Sequence, residues 1–439
     1  MQIIAPRWLI PIEPRAQVLM NHAVIIDRDT IIRIMPLTAA RSHYPAAQEI
    51  QLPEHALLPG FINTHSHSAM SLLRGYADDL ALMTWLNEHI WPAETAHVSD
   101  DFVCDGTTLA IMEMIAGGTT CSNDMYFEHS AVARAAVSSG FRMGIGCSIL
   151  EFPTPYASDA DSYIKKALNS RSEFSGEPLV HFTLAPHAPY TVSDQTFSKV
   201  ITLADEFDLG LHCHIHETQD EIKNSLKQYG VRPLERLAAL GFLGSNLVAA
   251  HMVHTSDPEI ALLAKYGVSI AHNPASNLKL ASGIARVHTM QQAGINVGIG
   301  TDGAASNNKI DLFAEMRLAA LLAKAEANDA HAIPAWQALE MATINGAKAM
   351  RLDDKIGSIT AGKQADLIAI DLSAAHTQPL YDPLSQIVYA ADRSQVSHVW
   401  IAGRCVYQEG RHLSLHARET LNRARRWQQR ISSKTKETE

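Results

Sequence analysis

The chain has 439 residues and a mass of 48.0 kDa, of which 46% are apolar and 19% charged. That balance supports a sizeable folded core and excludes long disorder, collagen-like repeats and a small disulfide scaffold. Lysine plus arginine number 36 against 46 aspartate plus glutamate, a net charge of −10, which argues against a nucleic-acid or anionic-membrane partner because counterion release needs a basic face. Five cysteines, Cys104, Cys121, Cys147, Cys213 and Cys405, form no C-x-x-C pair and read as reduced thiols of a cytoplasmic protein. The N-terminus, MQIIAPRWLIPIEPR, lacks the apolar core of a signal peptide. No run of about 18 uncharged apolar residues is present, so no membrane span is expected. The unusual count is histidine, at 22, which makes metal or proton chemistry the first question.

In chain order, the first 58 residues read as short strands and turns. Residues 23–26 and 31–34 are apolar and flank the polar Asp27-Arg28-Asp29, a hairpin pattern. Residues 365–371, 396–401 and 405–407 are again strand-like, and the tail from about 415 is helical in composition, with an end, 433–439, polar enough to fray. Two β-rich ends around one long middle predict a small β-sandwich domain built from residues 1–58 and 355–439. Residues 59–354 alternate differently. Apolar or β-branched runs recur at 57–62, 118–122, 143–147, 180–184, 210–214, 247–251, 268–272 and 297–301. Helical patterns lie between them, such as 99–116, where Ser99 and Asp100 can cap. Eight such units predict an α/β fold, a (β/α)8 TIM-type barrel.

Barrel enzymes place their chemistry where strands end. The first predicted strand ends in His65-Ser66-His67, the fifth in His212-Cys213-His214-Ile215-His216-Glu217, the sixth in His251-Met252-Val253-His254, the seventh in His272 and the eighth in Asp302. Histidines two apart on a strand share a side and can reach one metal. Singly, each has a plainer reading: His216 and His254 as solvated rings, His272 as a hydrogen-bonded core residue, Asp302 as a turn residue before Gly303. Convergence at the carboxyl ends of several strands outweighs those readings. Imidazoles mixed with a carboxylate suit a divalent first-row ion, zinc first, with iron or manganese as alternatives. Such an ion activates water at neutral pH, and Glu217, three residues after His214, is placed to shuttle a proton. The end of the fourth strand, Ala185-Pro186-His187-Ala188-Pro189, has no lysine to bridge two metals, so one ion is expected.

The segments PGFINTHSH, HCHIHET, AAHMVH, SIAHNPASNLKL and GIGTDGAASNN together resemble the amidohydrolase superfamily, and within it the 5-methylthioadenosine/S-adenosylhomocysteine deaminase family. The resemblance runs from about Pro59 to residue 350. It implies hydrolytic deamination at C6 of an adenine nucleoside (5′-methylthioadenosine, adenosine or S-adenosylhomocysteine) to the inosine analogue plus ammonia. It implies His65, His67, His214 and Asp302 as metal ligands, with Asp302 also a base toward the water. Glu217 would protonate the purine ring, and His251 would hydrogen-bond the water and the tetrahedral intermediate. The stretch from Trp85 to Glu94 resembles the ribose-recognition loop of the family, with Glu94 accepting from the sugar hydroxyls and Trp85 flanking the nucleoside. His187 matches a further substrate-contacting histidine. A homo-oligomer is the family habit.

One departure stands out. Some members carry arginines after the third strand that grip the homocysteine carboxylate, whereas here that stretch is Gly146-Cys147-Ser148-Ile149-Leu150-Glu151 followed by Phe152-Pro153-Thr154-Pro155-Tyr156. A carboxylate favours bidentate arginine, so the methylthio nucleoside is expected to be the better substrate. The alternative is an amidohydrolase acting on a free base or triazine, and the ribose loop discriminates between the two. A non-catalytic barrel would be expected to have lost ligands that are all present here.

Overall fold

The computed structural model describes residues 1–435. Eight parallel strands form the predicted barrel: β1 (Phe61–Ser66), β2 (Thr119–Tyr126), β3 (Arg142–Ile149), β4 (Val180–Pro186), β5 (Gly210–Ile215), β6 (Leu247–His251), β7 (Ser269–His272) and β8 (Val297–Ile299). Each pairs with the next. Every residue of β2 and β3 is buried, as expected for parallel strands covered on both faces. The last strand returns to the first through its end loop: the N–H groups of Thr301 and Asp302 donate to the His65 carbonyl at 3.1 and 3.0 Å. Asn63 braces the same closure, accepting from Thr301 N–H at 3.0 Å and donating to its hydroxyl at 2.8 Å.

Helices follow the strands, and their starts are set by capping side chains. Ser99 accepts from the N–H of Phe102 at the head of Asp100–Ala116, the cap that the sequence predicts. Asp159, Ser193 and Thr218 do the same for Ala160–Glu173, Asp194–Phe207 and Gln219–Tyr229. Each satisfies an N–H that the first helical turn leaves unpaired.

Both chain ends supply one mixed sheet of nine strands. The front contributes Gln2–Leu9, Leu19–Met20, His22–Asp27, Thr30–Pro36 and Gln48–Pro59, and the back contributes Leu367–Asp371, Val396–Ile401, Arg404–Gln408 and Arg411–His412. Gln48–Pro59 runs antiparallel to Leu367–Asp371 and joins the two sets. Alternation places Ile4, Val24 and Ile26 in one apolar cluster and Ile3, Ala23 and Ile25 in another.

The apolar run 57–62, read from sequence as one barrel strand, divides at Gly60. Leu57, Leu58 and Pro59 complete the terminal-sheet strand, and β1 begins at Phe61. A side chain at Gly60 would lie 2.1 Å from the Thr120 hydroxyl, so the crossing from sheet to barrel leaves no room for one. The C-terminal helix Ala417–Thr435 packs on Asp100–Ala116 through Trp427. That indole donates to Asp105 at 2.9 Å and meets Phe102 edge-on at 5.2 Å. Of the end expected to fray, 433–435 are helical, and 436–439 lie outside the described residues. All five cysteines are free thiols. Among the described residues no helix is long and apolar enough to cross a membrane.

Candidate active site

The polar residues at the strand ends meet at one point. His65 Nε2 and His67 Nε2 lie 3.4 and 3.2 Å from the same Asp302 oxygen, Oδ1. His67 Nε2 is also 3.2 Å from His214 Nε2, and the His251 ring stacks beside that of His214 at 5.4 Å. Glu217 Oε2 stands 3.9 Å from His251 Nε2. Thus β1, β5, β6 and β8 each deliver a group to one buried centre.

The backbone at these ends is unusual. His216, His251, Met252 and Asp302 all have positive φ, at 57°, 74°, 47° and 60°. Non-glycine residues adopt this region at a cost, and such positions gather at functional sites. Glu221 supports the β5 end by accepting from the N–H groups of His216 and Glu217, both at 2.9 Å.

The donor set fits a divalent ion. His65, His67 and Asp302 offer ligand atoms within 4.8 Å of one another, as do His65, His214 and His251. The buried Nε2 of His65 has no hydrogen-bond partner. Burial disfavours an imidazolium at His67, yet hydrogen bonding and charge from Asp302 outweigh it and hold the pKa at about 9. Asp302 is driven well below the usual carboxylate range, against its own burial, by His65 and His67. The cluster therefore favours positive charge at its centre. The remaining Asp302 lone pairs are filled by Ser276 at 2.5 Å, Ser306 at 2.9 Å and the N–H of Gly303 at 2.8 Å.

Above the cluster opens a largely apolar cavity. Trp85, Leu86, Glu94, Tyr126, His187 and Phe152 are among the residues that line it. Trp85 begins a π-helical turn, Trp85–Ile90, an element frequent at functional sites. Glu94 follows in the helix Trp91–His97. Its carboxylate accepts from the Tyr126 hydroxyl at 2.6 Å, and burial raises its pKa to about 7 against that hydrogen bond. His187 is held neutral by burial, with a pKa of about 3. Its carbonyl accepts from His214 Nδ1 at 2.8 Å. Burial also raises the pKa of Glu217, with His251 opposing. Among the described residues lining the cavity none is lysine or arginine.

All the sequence-derived candidates, His65, His67, Trp85, Glu94, His187, His214, Glu217, His251 and Asp302, line the cavity or its floor. His216 and His254 do not join them. The enclosed His216 Nε2 faces the N–H of Leu234 at 3.2 Å, and His254 pairs with Gln219 at 2.9 Å. His272 is a buried, neutral ring. The supporting residues Tyr126, Asn277, Ser276, Ser306 and Glu221 were not singled out from sequence, and His212 appeared there only as part of the β5 end. Ser276, Asn277 and Ser306 sit inside motifs quoted above, but nothing local states which ring or carboxylate each one meets.

The amidohydrolase family matches residues 56–406. A 5-methylthioadenosine/S-adenosylhomocysteine deaminase from Teredinibacter turnerae is 44% identical over 97% of each chain. The crystal structure of an adenosine deaminase from Xanthomonas campestris with bound zinc superposes with a TM-score of 0.97 at 47% identity, covering 98% of each chain. Atrazine chlorohydrolase from Arthrobacter aurescens, complexed with zinc, superposes at a TM-score of 0.91 over 97% of this chain and 100% of its own, but at 22% identity shares only the fold. On its fold, its match along most of the sequence and its near full-length relatives, the chain belongs to the amidohydrolase family.

Proposed function

We propose that this protein is a metal-dependent aminohydrolase that replaces the C6 amino group of an adenine nucleoside with oxygen, consuming one water and releasing ammonia. The observation that carries this reading is the buried histidine–aspartate centre at the floor of a largely apolar, aromatic-lined cavity, with Glu217 beside it and Glu94 on its wall. The deaminase relatives support the same reaction.

His65, His67, His214 and Asp302 would hold the ion, and the mixed donor set favours zinc. When bound, the ion supplies a water that ionises near neutral pH. Glu217, its pKa raised by burial, delivers a proton to ring nitrogen N1, which makes C6 electrophilic. His251 donates from Nδ1 to Asn277 at 2.9 Å. That turns its Nε2 toward the reacting oxygen, which it orients. Asp302 takes the first proton that the water loses, and that proton leaves with the departing ammonia, while the second, lost from the C6 hydroxyl as the carbonyl forms, returns to Glu217 in place of the one left on N1. Glu94 keeps one oxygen on Tyr126 and offers the other to the ribose hydroxyls. Trp85 and His187 flank the nucleoside. With no lysine or arginine among the described residues of the cavity wall, 5′-methylthioadenosine is the preferred substrate and S-adenosylhomocysteine the poorer one.

An ammonia-release screen of the zinc-loaded protein tests this, with methylthioadenosine, adenosine, S-adenosylhomocysteine, guanine and cytosine side by side. Turnover confined to the adenine nucleosides, abolished by chelation and restored by zinc, is the expected result. Turnover of guanine alone would refute it. We place the protein in the cytoplasm as a homo-oligomer, on its free thiols and on the family resemblance. Light scattering of the purified chain checks the assembly.

A further inference from the structure

Two of the four imidazoles at the centre have a proton position dictated by main-chain carbonyls. Nδ1 of His67 faces the Met125 carbonyl at 2.6 Å and Nδ1 of His214 the His187 carbonyl at 2.8 Å. These oxygens only accept, so each ring holds a proton on Nδ1, and in its neutral form the Nε2 lone pair is left for the site.

His65 differs. Its Nδ1 lies 2.9 Å from Nε2 of His212, and both rings are completely enclosed. An imidazole can donate or accept, so two proton arrangements fit this contact. In one, His65 donates from Nδ1 and its Nε2 is bare. In the other, His212 donates, and the His65 proton sits on Nε2, 3.4 Å from Asp302, where it blocks the ligand position. The decision passes one residue further. Nδ1 of His212 lies 3.2 Å from the carboxamide nitrogen of the buried Asn123, and the Asn123 amide oxygen has no partner. The carboxamide nitrogen also donates to the Thr64 carbonyl at 3.2 Å, so the half-turn that presents the oxygen to His212, and lets His212 hold its proton on Nδ1 and accept from His65 at Nε2, gives up this bond in exchange for a metal at His65 Nε2.

We propose that His212, through its contact with His65 Nδ1, is the positioning residue that keeps His65 Nε2 free for the metal. His212 does for His65 what main-chain carbonyls do for His67 and His214, but as a partner that can itself adopt the wrong tautomer. This inference rests on the metal-site reading above.

Two variants and one wild-type measurement test it. His212→Phe keeps a planar ring and removes the acceptor, and His212→Gln restores an acceptor oxygen. Zinc affinity is measured against a competing chelator. His212→Phe is expected to bind zinc about 10- to 100-fold more weakly than wild type, the usual cost of losing such a partner. His212→Gln should recover most of that loss, and kcat at saturating zinc should change less than affinity does. Unchanged zinc affinity in His212→Phe would overturn the proposal. Independently of any variant's folding, long-range proton–nitrogen correlation spectra of the full chain, zinc-loaded and labelled at histidine nitrogens, should show His212 protonated on Nδ1. Protonation on Nε2 overturns it. A wild-type protein that takes up no zinc sinks the metal-site reading itself, whereas zinc-binding wild type with an unaffected His212→Phe sinks only the role of His212.

Discussion

At its first residue β3 carries Arg142, buried and held by Asp366 through two bonds of 2.8 and 3.1 Å, with Gln364 taking a third at 2.7 Å. Asp366 also accepts from the N–H of Ala402 at 2.7 Å. At the other end of the barrel, the histidine–aspartate centre is buried just as deeply, but His65 Nε2 is unpartnered and several backbones there are strained. The two ends show that burial of charge does not by itself mark a functional site. Arg142 and Asp366 have their hydrogen-bonding groups largely satisfied within the protein, and they fasten the barrel to the terminal sheet. The centre leaves donors aimed at a common point, a cost that makes sense only for a group brought in from outside.

That contrast predicts opposite phenotypes. Glu217→Gln should lower kcat by about 10³-fold, within the range for a lost general acid, while metal content and melting temperature stay near wild type. Near-normal turnover would remove Glu217 from the chemistry. Arg142→Met should do the reverse. Leaving Asp366 buried and unpaired should cost about 3–5 kcal/mol of stability in denaturant titration, with kcat/KM per folded molecule unchanged. A selective loss of activity there would erase the distinction between the two ends.

Smaller effects concern the cavity wall. Methylthioadenosine should exceed S-adenosylhomocysteine in kcat/KM by about tenfold, the scale of one missing charged hydrogen bond. Equal efficiencies would refute the assignment. Glu94, with a pKa raised to about 7, is protonated below that pH and then offers fewer acceptor sites to the ribose. KM for nucleosides should therefore rise as pH falls through about 7, and Glu94→Gln should flatten that limb of the profile. Tyr126→Phe should raise KM several-fold with little change in kcat, because it touches only the positioning of Glu94.

Much of the site was legible because ligand chemistry restricts residue type where strands end. The runs His65-Ser66-His67 and His214-Ile215-His216-Glu217 are local in sequence, and the alternation that places them at strand ends is local as well. The same locality misled at 57–62, where one continuous apolar run serves two sheets. It also left His216 and His254 undistinguished from ligands, since a strand pattern gives spacing but not the turn that follows. The positive φ at His216 belongs to that turn.

Periodicity, capping residues and the histidine spacing were enough to specify a barrel with a polar rim, because they act over a few residues of chain. The partners that make the rim a working centre were set only by closure of the barrel. His212 reaches His65 across 147 positions, Asn277 reaches His251 across 26 and Arg142 meets Asp366 across 224. A hydrogen bond is decided by distance and direction in space, and those exist only once the eight strands have been brought into register.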